Sequence, residues 1–178
     1  MAFKKKLIQG LILCAVSAFA GSAAFAQTDS GTVAVTATTV GSVNLTFVTD
    51  AAGITLGGSG TSAASIAFGS VQAKGGTVPT GVTKTLNGAT SWTLSTPFDV
   101  VVTLSNSAST AYTLNVSLNA ADAINTWALN ATVLTATPAA LTATGTFGST
   151  PYTLHLTIPN TATAGAISNT INFTVIAA

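Results

Sequence analysis

The sequence predicts an all-β protein whose folded part is a single antiparallel β-sandwich. Three observations support this prediction. Short segments alternate apolar and polar side chains, as strands do when one face is buried and the other is solvated. Turn-forming Gly, Asn and Ser residues separate these segments at short intervals. Helical periodicity is absent from the later chain, apart from a stretch at 119–127 that is long enough for a turn or two.

The first 26 residues have the three parts of a secretory signal peptide. Lys4–Lys6 form a positive region, an apolar run extends over Leu7–Phe19, and Ala24–Ala26 supplies the small residues of a cleavage site. The apolar run is shorter than the roughly 20 residues of a membrane-spanning helix. We therefore expect residues 1–26 to be removed, leaving residues 27–178 without a transmembrane segment, outside the cell, on its surface or in the periplasm.

The mature chain has 178 − 26 = 152 residues and very few charges. Its lysines and aspartates give a formal balance of 2 − 4 = −2, and they are Lys74, Lys84, Asp29, Asp50, Asp99 and Asp122. The mature chain has no cluster of basic residues of the kind that nucleic acid or anionic lipid requires, which excludes nucleic acid as a partner. The single cysteine, Cys14, lies in the signal peptide. Stability must therefore come from a packed core and not from disulfides.

Five segments carry the strand-like alternation. Tyr112–Leu118 and Tyr152–Ile158 place an apolar residue at every second position, and Ile171–Val175 and Val43–Phe47 do the same. Thr32–Val40 shows the pattern more weakly. We expect the core to contain Tyr112, Leu114, Val116, Tyr152, Leu154, Leu156, Ile171, Phe173 and Val175.

Two segments of the chain repeat each other at a distance of 152 − 98 = 54 residues. Ser95–Ala108 and Ser149–Ala162 both begin with Ser-Thr-Pro and an aromatic residue, continue with alternating apolar residues, and end in a turn of Asn, Ser or Thr, and Ala. The repeat predicts two equivalent hairpins in one sandwich. The alternative is chance similarity in a chain rich in Thr and Ala.

Short motifs covering about a quarter of the mature chain resemble secreted pilin-like and spore-coat-U-like proteins. Ile66–Val71 is similar to a Phe-Gly motif early in those proteins, whereas Leu156–Pro159, Ala164–Gly165 and Ile171–Val175 are similar to their closing hairpin. The resemblance implies an immunoglobulin-like or pilin-like sandwich of bacterial surface structures, several of which assemble by strand exchange. This chain departs from the pilin pattern in lacking paired cysteines and a penultimate tyrosine.

The sequence predicts no catalytic residue, no cofactor and no metal site. His155 is the only histidine, lies on the polar face of its segment, and has no nucleophile turn to accompany it. Zinc needs more His or Cys ligands than the mature chain has, and calcium binding by Asp29 and Asp50 is left open. Trp92 and Trp127 are expected in the core, the alternative being exposed platforms that contact a ligand.

These features predict a secreted, non-catalytic structural protein of the bacterial cell surface, a subunit of a filament, coat or matrix. Its partners would be copies of itself or other surface proteins. The alternative is a secreted binding module or adhesin that contacts carbohydrate through an exposed tryptophan. Strand exchange would use segment 32–40, with Val33, Val35 and Ala37 on one face, because few charges protect the sheet edges. The same segment could instead be the first strand of its own sandwich.

Overall fold

The computed structural model describes residues 36–37 and 40–178 and confirms the all-β prediction. Nine strands and no helix occupy the described residues. In chain order the strands are β1 (Ser42–Val48), β2 (Thr83–Asn87), β3 (Ser91–Ser105), β4 (Tyr112–Leu118), β5 (Thr126–Leu129), β6 (Thr132–Val133), β7 (Ala139–Gly145), β8 (Gly148–Pro159) and β9 (Ile171–Ala177). The described part accordingly has no helix long and apolar enough to cross a membrane. The predicted signal peptide lies outside the described residues.

The larger of two antiparallel sheets is built on β3 and β8. These strands pair from Ser91 opposite Pro159 to Val102 opposite Gly148. β1 pairs with the C-terminal half of β3 and β2 with its N-terminal half, so both lie on the same side of β3. On the other side of the sheet, β5 pairs with β8, and β6 pairs with β5. The strand order is therefore β1-β3-β8-β5-β6, and β2 also pairs with β3. Strict alternation of buried and half-buried residues along β3 turns one face of this sheet to the core.

The smaller sheet has the order β7-β4-β9. β4 and β9 pair in regular register, from Tyr112 opposite Ala177 to Leu118 opposite Ile171. The pairing of β4 with β7 contains two register shifts. β9 and β7 are therefore the edge strands of this sheet, and only β9 has a regular ladder to its neighbour.

The sandwich has two ends, which its loops and termini define. At the entry end, Gly41 lies against Asn106, and the backbone N–H of Ala178 donates to the carbonyl of Ala111 over 2.9 Å. At the opposite loop end, loops 119–125 and 160–170 enclose the start of β9, where the N–H of Asn119 donates to Thr170 over 2.8 Å. β1 thus starts at the entry end, whereas β9 runs from the loop end to the entry end.

The core lies between the inward faces of the two sheets, and most of the expected core residues are in it. Six of the nine are buried, with exposed fractions of 4% or less: Tyr112, Leu114, Val116, Tyr152, Leu154 and Leu156. The three on β9, Ile171, Phe173 and Val175, pack against this core but are only half-buried. The prediction was therefore right for β4 and β8 and only partly right for β9.

The two copies of the 54-residue repeat form the neighbouring strands β3 and β8, with Phe98 opposite Tyr152. The prediction that each copy forms a hairpin is wrong. β3 is paired on one side with β8 and on the other with β1 and β2, and β8 is likewise paired with β3 and β5. Since no side is free for the following strand, the chain crosses to the other sheet after each copy and forms β4 and β9.

The outer face of the larger sheet carries hydroxyl side chains in rows. One row crosses four strands, through Thr85, Thr93, Thr157 and Thr126. The hydroxyl oxygens of Thr93 and Thr157 are 2.7 Å apart and share a hydrogen bond. Along this row the face is therefore polar without charge, and Asp99 lies elsewhere on the same face of β3.

Candidate functional site

The core of the sandwich is open along β9. The inward residues of β9, Ile171, Phe173 and Val175, pair with inward residues of β4 that are at most 4% exposed. The β9 residues themselves are half-buried, because no strand of the described part lies on their other side. Apolar side chains in this position keep part of their surface in water and do not gain the full free energy of burial.

The strand that faces β9 from the larger sheet is β1, whose inward side chains before Phe47 are also only half-buried. Val43 and Leu45 of β1 are half-buried, and the ring of Phe47 lies 4.9 Å from that of Phe173, centroid to centroid. We call the opening formed by Val43, Leu45, Phe173 and Val175 the β1–β9 cleft. The cleft runs along the side of the sandwich where the edge strands β1 and β9 lie next to each other.

Towards the loop end the sandwich encloses a cavity of about 1090 Å³. Trp92 and Trp127 line it from the larger sheet, each only 6% exposed, and Ile171 and Phe173 line it from β9. Its outer wall consists of residues 64–73 and 160–170, which lie outside the nine strands. Phe173 lines both the cleft and the cavity, and Phe47, which also lines the cavity, contacts Phe173, so the cleft adjoins the cavity.

Specific hydrogen bonds hold the long connection 49–82 in place as one wall of this cavity. Thr96 of β3 is fully buried, and its hydroxyl donates to the carbonyl of Gly81 over 2.8 Å and accepts from the N–H of Ile54 over 2.9 Å. The Lys84 ammonium donates to the carbonyls of Gln72 and Gly75 over 3.0 and 2.5 Å. The wall is therefore tied to β2 and β3 at several points.

Edge strands attract foreign strands unless something protects them, and the described edges differ in protection. β1 is covered at Phe47, whose N–H donates to Thr61 and whose carbonyl accepts from Gly60. β7 has an irregular register, and the open part of β8 contains Pro151. β9, with the sequence Ile-Asn-Phe-Thr-Val-Ile-Ala, has no proline, no charge and no bulge against β4.

The residues predicted for strand exchange are mostly outside the described part of the chain. Val33 and Val35 belong to the residues that the structure does not describe, and Ala37 is exposed and in no strand. Sequence reasoning singled out this segment but missed β9, because the pattern of β9 resembles that of any half-buried strand. Trp92 and Trp127, which were expected in the core with ligand contact as the alternative, are buried in the core and line the cavity.

Asp122 organises the loop that precedes β5. Its carboxylate accepts hydrogen bonds from the N–H groups of Ile124 and Asn125, from the Asn125 amide and, over 2.8 Å, from the indole N–H of Trp127. Partial burial raises the pKa of Asp122, but these hydrogen bonds outweigh it and lower the pKa from 3.8 to about 2. The buried carbonyl oxygen of the Asn125 side chain has no hydrogen-bond partner.

One Ser–His contact has the spacing of a nucleophile and its base. Ser95 Oγ and His155 Nδ1 lie 2.7 Å apart across β3 and β8, on the outer face. A triad also needs a carboxylate on the histidine and free N–H groups for the oxyanion. Among the hydrogen bonds of the described residues, none joins a carboxylate to His155, and Ser95 and His155 lie on the two central strands of the sheet. The described residues contain no group of three or more His, Cys, Asp or Glu arranged for a metal.

The chain matches no protein-family model, and neither a curated protein nor a solved structure is significantly similar to it.

Proposed function

We propose that this chain is an exported, non-catalytic structural subunit that assembles with copies of itself at the bacterial cell surface. The observation that carries the proposal is the open core along β9. A domain that leaves Phe173 and Val175 half-buried beside a flat, uncharged strand edge has the features of a surface that another strand completes.

The order of the strands supports this proposal. An immunoglobulin constant-type sandwich has strands A, B, E and D in one sheet and C, F and G in the other. Here β1-β3-β8-β5 has the order of A-B-E-D, and β4 and β9 correspond to C and F. The place of G, beside β9, has no strand among the described residues. The described part would thus be an immunoglobulin-like sandwich in which the position of the last strand is open.

Segment 32–40 has the properties required of the missing strand. It places Val33, Val35 and Ala37 at every second position, carries no charge and contains no proline. These three residues would face the core beside β9, and Ala34 and Thr36 between them would face solvent. Each main-chain group of β9 that points away from β4 would then have a partner, which supplies affinity independently of side chains.

A segment from another copy fits the β9 edge better than the segment of the same chain. β1 begins at the entry end, so a segment that lay along β9 of its own chain would have to run towards that end, in the same direction as β9. Folding back on its own β9 would make a parallel pair after a reversal at Val40–Gly41. A second copy can supply the segment in antiparallel orientation, which is the slightly more stable pairing.

The test compares mature protein, residues 27–178, with a chain that begins at Gly41. We expect the first to form linear oligomers in negative-stain micrographs, and the second to remain a folded monomer that binds a peptide of residues 29–40. A peptide carrying Val33→Asp and Val35→Asp is the matched control and should not bind, since carboxylates would enter an apolar cleft.

Two results would contradict the proposal. Mature protein that stays monomeric at every concentration would show that no strand is exchanged. A chain from Gly41 that fails to fold would assign segment 32–40 to its own sandwich. The alternative function, a carbohydrate-binding module with an exposed tryptophan, is not favoured, because Trp92 and Trp127 are each only 6% exposed.

A further inference from the structure

Two loops at the loop end present apolar side chains to solvent around a hollow of about 260 Å³. Ile124, from the loop before β5, is 63% exposed, and Ile167, from the loop before β9, is 39% exposed. Both line the hollow. At the entry end, Val40 is 76% exposed. Large apolar residues are seldom placed this way without a partner when they cluster around one surface.

The loops that carry these isoleucines are held by hydrogen bonds. The Asn169 amide donates to the carbonyl of Ala120 over 2.9 Å and joins the two loops. Asp122 accepts from the N–H of Ile124 over 3.0 Å and so fixes the backbone of that residue. A surface that is already ordered loses less conformational entropy when it binds.

Antiparallel strand addition determines which ends of two subunits meet. β9 runs from the loop end to the entry end, so an antiparallel donor strand runs from the entry end of the acceptor to its loop end. The donor chain therefore leaves the acceptor at the loop end. Its residues 38–41 span at most about 14 Å before β1 begins. The entry end of the donor must then lie against the loop end of the acceptor.

We propose that the hollow between loops 119–125 and 160–170 is the docking surface for the entry end of the next subunit. Ile124 and Ile167 of one subunit would contact Val40 of the next. This inference rests on the proposed function, since it takes strand addition as given. It adds a second, body-to-body contact with a defined polarity. Because the surfaces at the two ends are different, the contact is head-to-tail and extends into an open filament.

The mature chain contains no cysteine, so introduced cysteines report the contact directly. A Val40→Cys protein and an Ile167→Cys protein are mixed, allowed to assemble and treated with a short thiol-to-thiol cross-linker. We expect a cross-linked product from the mixture and none from either protein alone. Self-cross-linking of Val40→Cys alone would place entry end against entry end and overturn the inference. Assembly without any mixed product would overturn the contact and leave strand addition standing.

A second measurement compares two substitutions of exposed apolar residues. Ile124→Asp should raise the concentration needed for assembly by roughly tenfold or more, because a carboxylate would be desolvated in the contact. Val133→Asp is the matched control, since Val133 is 58% exposed on β6, away from both ends, and assembly should be unchanged. Equal effects of the two substitutions would overturn the inference. Absence of assembly in the unsubstituted protein would instead refute the proposed function, and the docking surface with it.

Discussion

Thr96→Val tests whether one buried hydroxyl holds the wall of the cavity. Valine has nearly the shape of threonine, so the substitution leaves the packing of β3 in place and removes only the hydrogen-bonding oxygen. That oxygen serves two backbone groups, the N–H of Ile54 and the carbonyl of Gly81. Each buried group left without a partner costs about 1–3 kcal/mol. We expect the free energy of unfolding to fall by about 2–4 kcal/mol, a large part of the roughly 5–15 kcal/mol of a domain.

Urea unfolding measures this loss, followed by the fluorescence of the buried Trp92 and Trp127 at a protein concentration that keeps the chain monomeric. Thr96→Ser keeps the hydroxyl and should recover most of the stability. Thr103→Val, at an exposed position on the same strand, should stay within about 0.5 kcal/mol of the parent protein. If Thr96→Val also stayed within that range, the two hydrogen bonds would not hold the connection 49–82, and the reasoning would be refuted.

Three further predictions concern the core, a close backbone approach and an acid-sensitive loop. Leu154→Ala should lower the free energy of unfolding by about 2–5 kcal/mol, because it leaves a cavity. His155→Ala removes one half-buried hydrogen bond and should lower it by about 0.5–1.5 kcal/mol. A larger loss for His155→Ala than for Leu154→Ala would contradict the observed register. Gly145→Ala should lower the free energy of unfolding by about 1–3 kcal/mol, because the new methyl group would meet the ring of the buried Tyr112. Gly165→Ala is the control and should be nearly neutral in the same urea assay, because open space surrounds that position. The pKa of Asp122 is about 2 in the folded protein against an ordinary value of 3.8. The ionised carboxylate therefore stabilises the fold above pH 3.8, and this stabilisation is lost as the pH falls through about 2. The free energy of unfolding, measured from pH 6 to pH 2, should fall in the parent protein and fall less in Asp122→Asn.

Alternation in the sequence was enough to predict the sandwich and the inward residues of β4 and β8, because buried strands repeat with period two wherever they lie. It could not distinguish β4 from β9. Both alternate in the same way, and only the sheet order leaves one of them with a bare side. Thr96 was also missed. A threonine among alternating residues looks like an outward-facing one. Its buried role depends on two backbone groups of the connection 49–82, which lie 42 and 15 residues away in the sequence.

The connection 49–82 limited the prediction in another way. Its glycines predicted turns, yet nothing in its pattern indicated that residues 64–73 would wall a cavity. That position depends on long-range anchors such as Lys84, which reaches the carbonyls of Gln72 and Gly75. Contacts of this kind follow from the assembled sheets, and local sequence carries no signal for them.

The rows of hydroxyl groups on the larger sheet determine how the protein responds to the water around it. Dissolved ions weaken interactions between exposed charges and have little to act on where the surface carries only alcohols. Thr85, Thr93, Thr157 and Thr126 do not titrate and hold no counterions, so the row that they form stays neutral at any pH or salt concentration. A contact made along this row would therefore not depend on the ionisation of its own side chains.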